Sequence, residues 1–411
     1  MSINNLNPSP NDSVLSKVFI VLGIIGTGVT WGRTIGDGTL AHLLEALDGT
    51  DGKYILPGTD FTLRDNFTGI WPLDYLLRTL VVFFWEVVDG SHPAATTTGI
   101  YFIGLLFPII VAIYLDGLRR GNGSSILKPS LWFLIFGAAA IGCSGAGWAI
   151  LYTAASPTTL SSIAPDSLRR ASLLSSTSTA VLLLPAIFIG YVLPMVLMGL
   201  PSPYFVSNNF QQWTIVIWNA FPIIMYTIIA TGERILSLRS SSSSPKISMS
   251  SSQAAHLRVV RLMSIVSVAV GLALHVAVTT ISASAALFPA LFDSKYVKEL
   301  TPLSLMTPPL SLAGGDTVGD GIHGFMLWDQ IIGFSLVQLV FLSQLRNALR
   351  FSNFQHRGWI GLGTVAFLLS FVVGPGTTVI VTSWLRDEIL FNQTEIQTPT
   401  NEKAGKTLTK N

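Results

Sequence analysis

Five carboxylates stand inside or at the ends of long apolar runs: Asp74, Glu86, Asp89, Asp116 and Asp329. Such groups are costly in hydrocarbon and tend to face a protein-lined cavity. Asp74 and Arg78 are one helical turn apart, the spacing of an ion pair that neutralises both. Glu86 lies about 18 Å beyond Asp74 if the two share one helix, too far for one small reacting centre. Near Glu86, Asp89-Gly90-Ser91-His92-Pro93 reads as a turn. Asp116 ends another run just before Arg119 and Arg120, where it fits an interfacial charge as well as a site. Asp329 differs, because Leu327-Trp328-Asp329-Gln330 opens an uncharged run and sets a carboxyl beside an indole. A carboxyl kept from water can stay protonated near neutral pH, and aromatic faces stabilise positive charge, so the pairing suits acid chemistry beside a developing cation. Trp71 and Tyr75 near Asp74, and Phe83, Phe84 and Trp85 before Glu86, add aromatic neighbours. The first two also fit interfacial anchors.

Other chemistries lack their residues. There is no adjacent Asp-Asp pair to hold magnesium on a diphosphate; the nearest approach, Asp48-x-x-Asp51, falls in a Gly-rich stretch that suits a turn. The six histidines show no HExxH, HxH or HxxxH pair, and no P-loop, nucleophile elbow or helix-opening GxGxxG occurs. The expectation is therefore no metal and no cofactor. A net charge of +2 offers no basic field for nucleic acid, and a single cysteine, Cys143, excludes an intramolecular disulfide.

The elements that must position these groups follow from composition. Half of the 411 residues are apolar and only 11% are charged, against about a quarter charged in soluble domains. Mean hydropathy is +0.57. Crossing a bilayer takes roughly 20 apolar helical residues. Seven runs stand out at about that length: Gly99 to Leu115, Leu131 to Ala154, Thr179 to Leu200, Trp213 to Ala230, Met263 to Leu291, Phe325 to Leu345 and Trp359 to Trp384. Two weaker ones are Val18 to Trp31 and Trp71 to Val88. The chain thus reads as an all-α polytopic transmembrane bundle of about nine spans in a lipid bilayer. Residues 1–17 form a polar N-terminus and 18–388 one membrane domain. Within it 36–69 is an interfacial segment, where Leu40, Leu43, Leu44 and Leu47 mark an amphipathic helix, and 240–252 is a serine-rich loop. Residues 389–411 are a polar tail. Nine spans put the loops bearing Arg169, Arg234 and Arg346 in the cytoplasm. They leave the tail on the opposite side, together with the loop bearing Arg119, Arg120 and Lys128, which contradicts the charge rule unless one span is re-entrant or miscounted.

The stretches Gly36-Asp37-Gly38-Thr39-Leu40-Ala41-His42, Leu47-Asp48-Gly49-Thr50-Asp51-Gly52, Asn66-Phe67-Thr68-Gly69-Ile70, Leu73-Asp74, Phe84-Trp85, Val88-Asp89-Gly90-Ser91 and Leu118-Arg119-Arg120-Gly121-Asn122 carry a likeness. As a set, with Trp328-Asp329, they resemble fungal integral-membrane terpene cyclases of the ascofuranone and ascochlorin type, most clearly over residues 36 to 122. The resemblance implies metal-free cyclisation of an epoxidised prenyl chain on an aromatic or polyketide core, an isomerase- or lyase-type reaction of secondary metabolism, with the protein in the endoplasmic reticulum. It implies that Asp89, Asp116 and Asp329 stand near the pocket, whereas Glu86 falls where the pattern demands no acid.

The expected mechanism has Asp329 protonate the epoxide, Trp85, Trp328 and Phe84 stabilise the cation, and Asp89 or Asp116 take the final proton, with Asp74 and Tyr75 beside the substrate. Two other classes fit the hydropathy. One is a transporter for small apolar metabolites, in which Asp74, Arg78 and Asp329 line a path. The other is a scaffold that recruits soluble enzymes through its serine-rich loop. Turnover by purified protein without a gradient separates the first from an enzyme, and deleting residues 240–252 separates the second.

Overall fold

The computed structural model describes residues 10–48, 54–123, 128–239, 249–312, 317–352 and 358–392. In chain order the helices are α1 (Pro10–Thr27, carried on through a π turn at Gly28–Gly32 and Arg33–Gly36), α2 (Thr39–Asp48), α3 (Trp71–Val88), α4 (Pro93–Gly117) and α5 (Pro129–Ala139). Next come α6 (Ile141–Ala155), α7 (Pro165–Ser172), α8 (Thr177–Ile187, with a π turn at Phe188–Val192 and Leu193–Met198), α9 (Asn208–Asn219) and α10 (Phe221–Arg239). Then follow α11 (Met249–Leu287), α12 (Pro302–Met306), α13 (Val318–Leu349), α14 (Trp359–Val373) and α15 (Pro375–Phe391). Their starts are written in the sequence. Proline opens α4, α5 and α15, where its missing N–H costs nothing, and the Ser176, Ser207 and Thr317 hydroxyls accept the first free N–H groups of α8, α9 and α13.

Among the described residues six helices are long and apolar enough to cross a bilayer: α1, α4, α8, α10, α11 and α13. The most deeply buried are α4 and α13, which pack side by side with Phe102 stacked on Phe334 at 5.5 Å. The ends of the bundle differ in charge. At one end the Arg120 N–H donates to the Leu173 carbonyl, Arg119 pairs with Asp116 and Asp387, Arg261 with Glu388, and Arg346 lies 5.1 Å over the Trp359 ring. At the other, Glu86 pairs with His92, His92 bonds Thr317, and the Arg33 guanidinium reaches the Pro309 carbonyl. The first is an arginine end. The second carries Asp37, Asp74, Glu86, Asp89 and Asp320.

Three of the nine apolar runs do not cross the bundle, and two of these fold back within it. Residues 131 to 154 break at Ala140 (φ 67°, ψ 146°). There α5, which enters from the arginine end with Ser130 bonded to Tyr114, gives way to α6, which returns to that end with Asn122 bonded to Tyr152 and Ser156. Residues 359 to 384 break at Gly374 (φ 89°, ψ 148°), and α15 brings Arg386 back to Asp116. Both runs are re-entrant hairpins, so the loop of Arg119 and Arg120 lies at the same end as Arg169 and Arg261. The last described residues also lie at that end, which corrects the expectation that the tail faces the other way: six crossings return the chain to the side on which α1 begins.

The run 71 to 88 does not cross either. The start of α3 holds the 67–69 turn through Asp74, its last turn donates from Trp85 to the Pro57 carbonyl, and residues 56 and 61 pair backbone to backbone. Helix α3 therefore lies along the acidic end, which explains how it carries Asp74, Arg78 and Glu86. The run 213 to 230 is kinked at Ala220 between α9 and α10. Most of the serine-rich loop, residues 240–248, and the tail beyond residue 392 lie outside the described residues.

Candidate functional site

Between α1, α2, α3, α4, α5, α9 and α13 lies a cavity whose empty space, counted out to its mouth, is about 1230 Å³. Asp329 is the one ionisable group among its described lining residues. Its Oδ1 accepts the Gly142 N–H at 2.5 Å, which fixes the carboxyl on the first turn of α6, just past the break at Ala140. Aromatic rings make up much of the wall. Trp31 and Phe83 meet Phe325 edge to face at 5.3 and 5.5 Å, Phe84 meets Trp218 at 4.9 Å, and Phe133 adjoins Phe136 and Phe221.

Helical phase decides which expected aromatics belong. On α3 the lining residues are Leu76, Thr79, Leu80, Phe83 and Phe84, one continuous face. Trp85 lies on the opposite side, 1% exposed, with its indole N–H on Pro57. On α13, Phe325 and Met326 precede Asp329 by four and three residues and share its face, whereas Trp328 turns away to donate to the Pro309 carbonyl. Of the aromatics expected to stabilise the cation, Phe84 alone lines the cavity, joined by its neighbour Phe83. Phe325 and Met326 were legible from that spacing. Trp31, Phe133, Phe136, Trp218 and Phe221 come from other runs and carry no local signal.

The remaining carboxylates are elsewhere. Asp116 is buried in a network with Arg119, Arg386, Gln344 and Asn122; Asp387 joins it through both arginines. Phe102 and Leu106 are the lining residues of α4, and from Leu106 to Asp116 is about 15 Å along the helix. Asp74 pairs with no arginine: it accepts the N–H groups of Phe67, Thr68 and Gly69 and the Thr68 hydroxyl, while Arg78 donates to the Leu47 carbonyl. Tyr75 donates to Asp48. Glu86 meets His92 at 2.8 Å, and Asp89 accepts the Ser91 N–H. Burial, with the Ser91 contacts opposing it, raises the Asp89 carboxyl above its ordinary range. Burial and the nearby Glu86 and Asp89 charges push the Tyr54 phenol up to about 12. This acidic-end group does not line the cavity. Among the described residues no cluster of three or more His, Cys, Asp or Glu could hold a metal ion.

Terpene cyclase ascI of Acremonium egyptiacum is 28% identical over 361 residues, covering 85% of this chain and 84% of that protein. Terpene cyclase ctvD of Aspergillus terreus is 28% identical over 211 residues, 51% of this chain and 58% of that protein. Terpene cyclase sdgD of Emericella nidulans is 20% identical over 378 residues, 90% of this chain and 94% of that protein. No solved structure matches. The CtvD domain matches residues 18–391, nearly the whole helical bundle, and the chain belongs to the CtvD-domain family.

Proposed function

We propose that this protein is a membrane-embedded terpene cyclase that protonates the epoxide of a prenyl chain borne on an aromatic or polyketide core. The observation that carries the reading is the placing of Asp329 as the one acid among the described residues of an aromatic cavity. Oδ1 accepts the Gly142 N–H, and the reading places the transferable proton on Oδ2. Transfer of that proton to the epoxide oxygen breaks a C–O bond and leaves a carbocation. Facing rings of Phe83, Phe84, Trp31 and Phe325 stabilise it without acting as nucleophiles. An alkene π pair closes the ring, and the cation ends by capture of a substrate hydroxyl or by loss of a proton. Either ending releases one proton, which restores Asp329 and makes the reaction an isomerisation. Termination is assigned to the substrate or to the neutral lining groups Thr34, Thr39, Thr79 and Asn219, since Asp116 and Asp89 do not line the cavity.

The arginine end then faces the cytoplasm by the positive-inside rule, with the endoplasmic reticulum as the proposed membrane. The test is purified protein in detergent supplied with prenyl-aryl epoxides: a cyclised product of unchanged mass is expected, and recovery of unconverted epoxide under all conditions overturns the reading. Chelation with EDTA is expected to leave turnover within about twofold, far from the loss that follows when a metal supplies several kcal/mol. A collapse reversed by magnesium would point to diphosphate ionisation instead.

A further inference from the structure

The cavity reaches the outside between α3 and the tip of α5. Leu76 of α3 lines it and is 43% exposed; Gly137 and Ala138, in the last turn of α5, also line it and are exposed. The surface beside this mouth is apolar, with Leu73 on α3 and Leu131 and Leu134 on α5 all exposed. Gly137 lies about 10 Å further into the bundle than Ser130, which marks the arginine end. The mouth therefore opens through the side of the bundle and not through a polar end. A Cβ at Gly137 would meet nothing within 4 Å, whereas at Gly142, also near the cavity, it would come 3.1 Å from the Asp329 carboxylate. A side chain at 137 thus has room, at a position that both lines the cavity and is exposed.

We propose that the cavity takes its ligand sideways out of the bilayer through this mouth, and that Gly137 sets the width. The identity of that ligand, a bilayer-dissolved prenylated ring, rests on the cyclase reading; the lipid-facing mouth does not. A prenyl chain arriving this way reaches Asp329 without its apolar carbons passing through water.

Two measurements test this on the full chain in proteoliposomes. In a Cys143→Ser background, a nitroxide on Ala138→Cys is expected to relax strongly with oxygen, which concentrates in lipid, and weakly with an aqueous nickel chelate. The reverse order would put the mouth in water and overturn the proposal. The second uses a diazirine-bearing farnesyl phenol as photolabel. Gly137→Trp is expected to cut labelling at least tenfold and Gly137→Leu less, whereas Gly361→Trp, on α14 where a Cβ also meets open space, stays within twofold of the native protein. Native-level labelling of both Gly137 variants would overturn the gating. Should both measurements come out as expected while prenyl-aryl epoxides stay unconverted, the cyclase reading fails and the lateral mouth stands.

Discussion

Asp329 and Asp116 are the same residue in two buried settings, each on a central helix and each 5% exposed or less. Around Asp116 stand Arg119, Arg386, Gln344 and Asn122, so its charge is answered from several sides. Around Asp329 stand backbone N–H groups at the start of α6 and a wall of rings. A carboxylate held by two guanidiniums puts its interactions into tying α15 to α4. Under the proposed cyclase reading, the carboxyl in the apolar wall is the one placed to hand a proton over. Burial of an acid is thus no sign of catalysis; the charge of its neighbours decides.

The largest effect expected is on turnover. In Asp329→Asn the amide oxygen can still accept the Gly142 N–H, so the start of α6 is kept and only the acidic proton is lost. Turnover per folded molecule should fall about 10²-fold or more, with a melting temperature close to native. Asp116→Asn should do the opposite. It leaves Arg119 and Arg386 facing Asp387 alone, and breaking a buried pair of this kind costs about 3–5 kcal/mol. Less protein should be recovered, and what remains should turn over normally. An active Asp329→Asn beside a well-folded, inactive Asp116→Asn would exchange the two roles and move the site to the arginine end.

The fold class was legible because hydropathy alone demands helices in lipid; it marked the spans α4, α8 and α13, although α4 and α13 begin six and seven residues before their apolar runs. Re-entrance was half legible. Gly374-Pro375 is a helix-breaking dipeptide inside its run, but Ala140 is one alanine among several, with nothing local to mark it. Its break is imposed by what surrounds it, with Trp31 donating to the Ala139 carbonyl on one side and Asp329 holding Gly142 on the other. The Asp74 and Arg78 spacing suited an ion pair, yet three backbone N–H groups of the 67–69 turn claim Asp74 first. Asp329 was legible as the odd acid in an uncharged run. Its aromatic partner was misjudged because adjacent residues on a helix point apart.

The two hairpin breaks sharpen the contrast between the site and the frame. Both residues have φ between 67° and 89° and ψ near 147°, a region essentially reserved for glycine. Gly374→Ala should cost about 1–3 kcal/mol, since the added Cβ also comes 3.1 Å from Leu105. Ala140 already bears that strain beside Asp329, so Ala140→Gly should raise stability by up to about 1 kcal/mol. Thermal unfolding of the two variants checks both signs. A destabilised Ala140→Gly would mean that the alanine methyl packs well enough at the cavity wall to outweigh its backbone strain.

The smallest effect expected is at Asp89, a third acid that is neither salted like Asp116 nor set in the cavity like Asp329. Its Oδ1 accepts the Ser91 N–H, and its Oδ2 is buried with no partner among the described residues. Burial raises its affinity for a proton in the folded state above that of the unfolded chain, where an aspartate titrates near pH 4. The folded protein then binds the proton more tightly than the unfolded one. By linkage, the stability this gives is present at acid pH and is lost as pH rises from about 4 through the raised folded value. Asp89→Asn cannot ionise. It should flatten that part of the stability profile and melt slightly above the native protein at neutral pH, while turnover stays within about twofold because the residue lies outside the cavity. Unfolding followed from pH 4 to 8 on both proteins decides it. A variant whose profile parallels the native one would assign the pH dependence to the neighbouring Glu86, whose carboxyl is also raised by burial. A variant that folds but has lost turnover would extend the site to the acidic end.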